Sequence, residues 1–243
     1  MGIIDDLLAS LKEDAPLREV RIGVFWTAVL SRQCGLASTL HQEGHHHHGR
    51  PPVPEAGSLL EKSALELASY ARSESLLEAS LGMAAINSLL EVDESICVDL
   101  NAREIILQRG AGRTVAVVGH FPFVPEIRKV ASQCWVLEQS PGPGDMPAES
   151  AGEILPQADV VALTGTSLIN HTFDELIALP RPDALVIMLG PTTPLSPVLF
   201  DYSVDIISGA LVVDEEAALR SISQGATFRQ VQGVRLLSIR REK

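Results

Sequence analysis

Aromatic residues and cysteines are scarce in this chain of 243 residues, and each scarcity excludes a class of protein. Aromatic side chains make up only 4% of the sequence. Val, Leu, Ile and Ala must therefore fill the core, which favours helices packed closely on sheets. The cysteines Cys34, Cys97 and Cys134 lie far apart and form no CxxC motif, which argues against a disulfide framework and a thiolate zinc site. We therefore predict reduced, buried cysteines in a cytoplasmic protein.

Basic residues are also in the minority, with 19 Lys and Arg against 31 Asp and Glu and a net charge of -12. Such a chain repels phosphate backbones, so we predict no nucleic-acid partner. No apolar stretch reaches the length of a membrane span, and the N-terminus lacks a basic region before an apolar run, so we expect neither a membrane partner nor a signal peptide. Apolar residues nevertheless reach 46%, enough to bury a core.

The second half of the chain is dominated by apolar runs that do not alternate with polar residues. Six such runs occupy 114–120, 134–139, 158–165, 184–190, 204–213 and 234–239. Runs of this kind are typical of parallel strands that helices cover on both faces. Helical patterns at 124–132, about 149–155, 172–179 and 214–223 separate the runs as in βαβ units. We predict a Rossmann-like α/β domain with a mostly parallel sheet over residues 111–243.

The first half has a mixed pattern that predicts an α+β domain over residues 1–110. Apolar positions at helical spacing indicate a short amphipathic helix at 3–12. The runs 19–30 and 36–41 lie on either side of a turn containing Gly35, which predicts a β-hairpin. Helical patterns follow at 57–72, 74–90 and 102–109, and Asn101 can cap the last of these helices.

The residues that follow the apolar runs form the candidate ligand site. In an open parallel sheet, ligands bind beyond the carboxyl ends of the strands, where the strand order reverses. Glycines let a ligand approach the backbone, and hydroxyls and free amides can hold anionic oxygens. The candidates at these positions are Gly119, His120, Phe121, Pro122, Glu138, Thr164, Gly165, Thr166, Ser167, Gly190, Pro191 and Thr192.

One of these candidates, Glu138, favours a nucleotide-like ligand. It ends the second strand about 20 residues after Gly119, where the acidic residue of a Rossmann site contacts ribose hydroxyls. However, GHFPFVP stands where G-x-G-x-x-G would be expected, and its prolines and Phe121 cannot make the same phosphate turn. A standard NAD site is therefore disfavoured, and Glu138 as a solvated acid at a strand end stays an alternative.

Histidines provide the candidate metal ligands. His120 and His171 follow predicted strands, and they would face one crevice if the strands at 114–119 and 158–163 are neighbours. The histidine tract His45–His48, with His41 nearby, offers imidazoles to nickel, zinc or copper. The alternatives are packing roles for the first two and a surface loop with incidental metal affinity for the tract. The predicted metal ligands are His120, His171, His45, His46, His47 and His48.

Three segments together resemble a known family: VAVVGHFPFVP, ADVVALTGTSLINHTFDELI and VIMLGPTTPLSP. They resemble the heavy-metal chelation domain family, whose C-terminal domain is Rossmann-like. RIGVFWTAVLSRQCGLASTL is similar to the enolase N-terminal-like domain that accompanies it. The resemblance implies a cleft between two domains and adds Asn170 to the residues at the ligand site. It does not assign a role to the histidine tract.

We predict a heavy-metal or metallocofactor binding protein with its ligand in this cleft. The alternative is an enzyme or sensor that binds a small anionic or nucleotide-like ligand, such as a nucleotide, adenosylmethionine or a pterin, at the same edge. A scaffold without catalysis also stays open, because the sequence offers no recognisable pair of nucleophile and base. The sequence does not decide whether the protein is an enzyme, and a homo-oligomer is left open.

Overall fold

Two sheets organise the protein. The computed structural model describes residues 2–41, 51–98 and 101–241. Its first sheet has three antiparallel strands, and its second has eight strands of which most are parallel. The predicted mixed α/β fold, with an α+β first half and a mostly parallel sheet in the second, is therefore confirmed.

The first sheet is a meander rather than the two-stranded hairpin that we predicted. Its strands are β1 (Glu19–Ile22), β2 (Trp26–Leu30) and β3 (Cys34–Ser38). A turn at Gly23 divides the run 19–30 into β1 and β2, because the Gly23 N–H donates to the Trp26 carbonyl at 2.9 Å. A Cβ at Gly23 would lie 2.7 Å from the Ile222 carbonyl oxygen, so the close approach of another segment also requires glycine here.

Three helices accompany this sheet. The helix predicted at 3–12 is confirmed as α1 (Ile3–Ser10), and that predicted at 74–90 as α3 (Leu76–Leu89). The single helix predicted at 57–72 is wrong. A capping box at Ser63 starts the short helix α2 (Ala64–Ala68), and 3₁₀ turns flank it on both sides. Gly82 allows α3 to touch the second of these turns, since a Cβ there would lie 1.9 Å from the Ala71 nitrogen.

The rest of the chain builds the second sheet and its helices. In chain order the elements are β4 (Cys97–Val98), α4 (Ala102–Gly110), β5 (Thr114–Val118), α5 (Val124–Val130), β6 (Gln133–Glu138), β7 (Met146–Pro147), α6 (Ala151–Ile154), β8 (Val160–Thr164), α7 (Phe173–Ile177), β9 (Leu185–Leu189), β10 (Ile206–Val212), α8 (Glu215–Ser223) and β11 (Val234–Arg240). Each of the six predicted apolar runs coincides with one of these strands, although β6 begins one residue before its run and β11 ends one residue after its run.

The strand order β4-β11-β10-β9-β8-β5-β6-β7 fixes where a site can form. The strands from β10 to β7 in this order are parallel, whereas β11 is antiparallel to β10 and to β4. The chain leaves β5 for β6 on one side and later returns to β8 on the other, so the strand order reverses between β5 and β8. We call the edge at which β5, β6, β8, β9 and β10 end the carboxyl edge, and the opposite edge the amino edge.

The two halves share a continuous core. Apolar residues of α1, α2 and α3 pack in one cluster with Leu163, Met188 and Ile207 of the second sheet. Helix α4 packs against β5 and α5 through Ile105 and Ile106, on the opposite face of that sheet. The division of the chain after residue 110 stays a prediction, and the contacts of α4 favour a boundary that precedes this helix. Within the described residues, no helix is long and apolar enough to cross a membrane.

Candidate functional site

A cavity of about 1220 Å³ opens at the carboxyl edge of the second sheet. We call it the strand-end cavity. The predicted metal ligand His171 does not line it, whereas these residues that were predicted to bind a ligand at the strand ends all do: Gly119, His120, Phe121, Pro122, Glu138, Thr164, Gly165, Thr166, Ser167, Asn170, Gly190, Pro191 and Thr192. The structure thus brings together residues from four strand ends. Their role in ligand binding stays a prediction.

Glycines shape the floor of this cavity. Gly119 and Gly190 follow β5 and β9 with φ angles of +95° and +115°, which residues other than glycine rarely adopt. Gly165 follows β8, and a Cβ there would lie 2.6 Å from the Thr193 nitrogen. By contrast, a Cβ at Gly190 would meet no atom within 4 Å. Gly165 therefore serves close packing between loops, whereas Gly190 leaves open space beside the backbone.

Several hydroxyl groups of the site already serve the loop after β8. The Thr164 and Thr166 hydroxyls lie 3.0 Å apart, and the Thr166 N–H donates to Thr164 Oγ1 at 3.3 Å. Ser167 is buried and donates its hydroxyl to the Thr164 carbonyl at 2.7 Å. The side-chain Oδ1 of Asn170 accepts from the N–H and hydroxyl of Thr172. These bonds make the loop rigid and reduce the number of groups that could turn to a ligand.

Thr192 joins the two halves of the molecule at the cavity wall. Its hydroxyl accepts from the Ser38 N–H at 2.9 Å and donates to the Ser38 hydroxyl at 3.1 Å. Its carbonyl accepts from the Asn87 side chain of α3 at 3.1 Å. Since Thr192 is 1% exposed, these contacts fix the first sheet against the carboxyl edge. Ser38, Leu40 and Trp26 consequently line the strand-end cavity from the first half.

His120 lies at the cavity and is paired with the carboxylate of Asp145. Its imidazole is 53% exposed, and Nδ1 lies 3.4 Å from Oδ2 of Asp145, whose side chain is only 5% exposed. Arg128 of α5 holds the other carboxylate oxygen at 3.0 Å. The sequence did not identify Asp145, because it lies 25 residues away in the Pro- and Gly-rich loop after β6. No local motif connects the two residues.

His171 does not share the cavity with His120, although β5 and β8 are neighbours, which was the condition for a common crevice. His171 is not among the residues that line the strand-end cavity. Its Nε2 lies 2.9 Å from the Ser73 carbonyl oxygen, and its φ angle is 60°. The residue ends the loop and contacts the segment before α3. The histidine tract lies outside the described residues, so its predicted metal binding stays a prediction.

Aromatic side chains are concentrated at the cavity. The chain has two Trp, two Tyr and six Phe, and four of these residues line the cavity. Phe121 and Phe123 stack with centroids 5.4 Å apart, and Trp26 and Phe228 pack at 5.3 Å with tilted rings. The Trp26 indole N–H is buried without a hydrogen-bond partner within the described residues. Sequence patterns missed Trp26 and Phe228, because only the docking of the first sheet and the antiparallel β11 bring them here.

The charges at the cavity form one tight pair and several single groups. Arg103 of α4 binds both carboxylate oxygens of Glu126 in α5, and its Nε donates at 3.1 Å. The hydrogen bonds from Arg103 hold the pKa of Glu126 below its ordinary value. Glu138, Glu149, Glu175 and Arg229 also line the cavity. Its wall is therefore amphipathic, with aromatic and aliphatic surfaces between charged groups.

A bare heavy-metal ion finds few ligands among these residues. Within the described residues, no three His, Cys, Asp or Glu side chains come together as a metal site. Burial raises the pKa of all three thiols, that of Cys34 to about 12, whereas a metal-binding cysteine must lose its proton. The described residues therefore fit a metal only if most of its coordination positions are filled by another ligand. A single imidazole and a large cavity suit such a complex.

Fold and site together define an α/β protein whose two halves enclose a cavity at the carboxyl edge of a Rossmann-like sheet. The family model DUF364, described as "Putative heavy-metal chelation", matches residues 101–240. A second model with the same description, DUF4213, matches residues 4–90. The chain belongs to the DUF364 heavy-metal chelation family, which confirms the resemblance seen in the sequence.

Relatives extend over nearly the whole chain. An uncharacterised protein of Methanocaldococcus jannaschii is 27% identical over 226 residues, which cover 88% of this chain and 85% of that protein. The crystal structure of a DUF364 protein with unknown function from Desulfitobacterium hafniense is 27% identical, with a TM-score of 0.81 and coverage of 98% and 97%. Another, from Pyrococcus horikoshii, is 23% identical with a TM-score of 0.83 over 98% of both chains, and it supports the fold alone.

Proposed function

We propose that the strand-end cavity binds a heavy metal that is already held by a small organic chelator, as in a metallocofactor. The observation that carries this proposal is the cavity itself. Its volume of about 1220 Å³ exceeds the ordinary range of about 300–1000 Å³ for small-molecule sites. A hydrated ion needs much less space than this. The family description supports the metal, and the size of the cavity supports the organic part.

The lining of the cavity is suited to such a complex. Stacked Phe121 and Phe123 offer an apolar surface to a planar ligand, and the Trp26 ring adds to the apolar lining of the cavity. At Gly190 the open space beside the backbone lets polar ligand atoms approach closely. In this function the protein recognises the chelator with many weak contacts, and the metal with few.

The second candidate is a small anionic or nucleotide-like ligand at the same edge. Glu138 favours it, because this residue lies at the end of β6, next to β5, where a Rossmann site binds ribose hydroxyls. The loop after β5 disfavours it, since Pro122 and Phe121 replace the glycines that cradle a pyrophosphate. Nucleotides, adenosylmethionine and pterins are the compounds to test, and Glu138→Gln should weaken any nucleoside that uses this carboxylate.

The proposal can be tested with copper(II)–terpyridine, a planar metal complex that leaves one strong coordination position open. The parent protein for this test carries serine at His45–His48, because the histidine tract would bind the complex by itself. Equilibrium dialysis should give one bound complex per chain. Binding of the complex should also raise the melting temperature of the protein. Nucleotides, adenosylmethionine and pterins, added at the same concentration, should raise it less than the complex does.

A cavity-filling variant shows whether binding takes place at the carboxyl edge. Gly152 of α6 lines the cavity, and a Cβ there would meet no atom within 4 Å. Gly152→Trp should therefore fold normally while its indole occupies the cavity. We expect this variant to lose the copper complex. If the variant retains full binding, or if only the nucleotides bind to the parent protein, the metal-complex proposal is wrong.

A further inference from the structure

The environment of His120 distinguishes it from an ordinary exposed histidine. Its ring is half-exposed at the strand-end cavity, and Nδ1 faces the buried carboxylate of Asp145 at 3.4 Å. A carboxylate only accepts hydrogen bonds, so a hydrogen bond between these two groups would place the proton of the neutral ring on Nδ1. The lone pair of Nε2 then stays available. This arrangement of carboxylate and imidazole is the one that supports histidine ligands of metals in proteins.

The carboxylate is itself held in place by two other groups. Arg128 of α5 donates to Asp145 Oδ1 at 3.0 Å and to the Gly144 carbonyl at 3.0 Å. The Gly142 N–H donates to Asp145 Oδ2 at 3.2 Å. A turn in the loop after β6 is thus fastened to the helix after β5. Since His120 lies two residues after the end of β5, both partners are held by neighbouring strands of one sheet.

We infer that His120 supplies, through Nε2, the protein ligand to the metal of the bound complex, and that Asp145 is a positioning residue for this histidine. The inference rests on the proposed function and names the group that contacts the metal. One imidazole is sufficient here, because the organic chelator fills the remaining coordination positions. Imidazole nitrogen suits nickel, zinc and copper, so the inference does not depend on one of these metals.

Asp145 contributes through orientation and charge. A hydrogen bond from Nδ1 to its carboxylate would fix the ring and make Nε2 a stronger electron donor. Loss of such a partner typically weakens metal binding by about 10- to 100-fold. We therefore expect Asp145→Ala to reduce the affinity for copper(II)–terpyridine at least about tenfold. Asp145→Asn keeps an oxygen that can accept from Nδ1, so it should restore part of this loss.

Pulsed EPR of copper(II)–terpyridine bound to the parent protein tests the inference without any activity assay. An imidazole bound to copper gives a characteristic modulation from its remote ring nitrogen, which terpyridine alone does not give. We expect the modulation in the parent protein and in His171→Asn. His120→Ala should lose it and should bind the complex at least about tenfold more weakly. Asp145→Asn should keep the modulation with an intermediate affinity.

The possible outcomes separate this inference from the proposed function. If the parent protein takes up no complex, or if Gly152→Trp leaves its uptake unchanged, the proposed function fails and the inference fails with it. If Gly152→Trp blocks uptake but His120→Ala keeps both affinity and modulation, only the role of His120 is wrong. Loss of the modulation in His171→Asn, with His120→Ala unchanged, would assign the contact to the other histidine. Melting curves of each variant identify any that fails to fold, and for His120 the Asn variant then replaces Ala.

Discussion

The two edges of the eight-stranded sheet use their polar side chains in opposite ways. At the amino edge, Asp159 Oδ2 accepts the N–H of Thr114 at 2.8 Å, and Asp205 Oδ2 accepts that of Val186 at 2.8 Å. The second oxygen of Asp159 binds Arg181 at 2.6 Å. These carboxylates already accept hydrogen bonds from the strands that they flank. At the carboxyl edge the same strands end in glycines and in side chains that line a large cavity.

In an open parallel sheet, the capacity of a polar group to bind a ligand depends on how many of its atoms already bind other parts of the fold. A charged group that already binds backbone N–H groups of neighbouring strands stabilises the fold and has little capacity for a ligand. A group that is oriented from one side, such as His120 by Asp145, keeps a free atom for a partner. The comparison predicts that substitutions at the amino edge change stability alone, while those at the cavity wall change ligand binding.

We expect the largest loss of stability at Gly165, which lies at the carboxyl edge but has a structural role. Gly165→Ala would place a Cβ 2.6 Å from both the nitrogen and the hydroxyl of Thr193. Since overpacking in a rigid site costs typically 1–3 kcal/mol, we expect a loss of about 3 kcal/mol in the free energy of unfolding. Urea titration measures it.

Gly190→Ala is the matched control for that substitution. Its φ angle of +115° strains alanine, yet a Cβ there meets no atom within 4 Å. We expect a smaller loss, on the order of 1–2 kcal/mol. If Gly190→Ala lowers the free energy of unfolding more than Gly165→Ala does, close packing of the loop after β8 is not the reason for glycine at position 165.

At the amino edge, Asp159→Ala should destabilise the protein by about 2 kcal/mol, because it leaves the Thr114 N–H without its acceptor and removes one of the two carboxylates that pair with Arg181. Binding of copper(II)–terpyridine should be unchanged. Chemical denaturation and dialysis of the same preparation test both statements. A loss of binding at unchanged stability would break the proposed contrast between the edges.

We also expect Asp159 to make the free energy of unfolding depend on pH. The hydrogen bonds from Thr114 and Arg181 lower the pKa of its carboxyl below the ordinary value of 3.8. Its contribution is therefore complete above that value, and it is lost as the pH falls through the lower pKa of the folded state. Asp159→Asn should abolish this part of the decline below about pH 4. If both proteins lose stability in parallel there, other carboxyl groups control the acid transition.

The smallest effect is expected at His171. His171→Asn removes the contact with the Ser73 carbonyl, which should cost about 1 kcal/mol or less. Asparagine tolerates the φ angle of 60°, whereas alanine adds strain, so His171→Ala should be the less stable of the two variants. Thermal unfolding distinguishes them. Equal stability of the two would mean that this loop relaxes when the histidine is removed.

Much of the second half of the fold was predictable because its strands are buried on both faces. Runs such as 114–120 and 184–190 are apolar throughout, and that composition alone indicates covered parallel strands. The antiparallel direction of β11 was not predictable, since its sequence resembles that of the other strands. In the first half, the capping box at Ser63 marks the start of α2 locally, whereas the 3₁₀ turn after α2 depends on close contact with α3, which local propensity does not contain.

The candidate site was predictable where it follows the chain, and hidden where it depends on docking. Strand ends identified Gly119, His120 and Gly190, because topology places all such positions at one edge. Trp26 enters through the packing of the first sheet, and Asp145 through a loop turn fastened by an arginine. Contacts between residues that are distant in sequence leave no local pattern from which they could be predicted.

The most direct test of the central claim is an anomalous difference map at the copper absorption edge. Crystals of the protein with serine at His45–His48 would be soaked with copper(II)–terpyridine. We predict one dominant peak inside the strand-end cavity, about 2 Å from Nε2 of His120. A dominant peak outside the cavity, or a complex that binds in solution yet leaves the cavity without copper, would contradict the account.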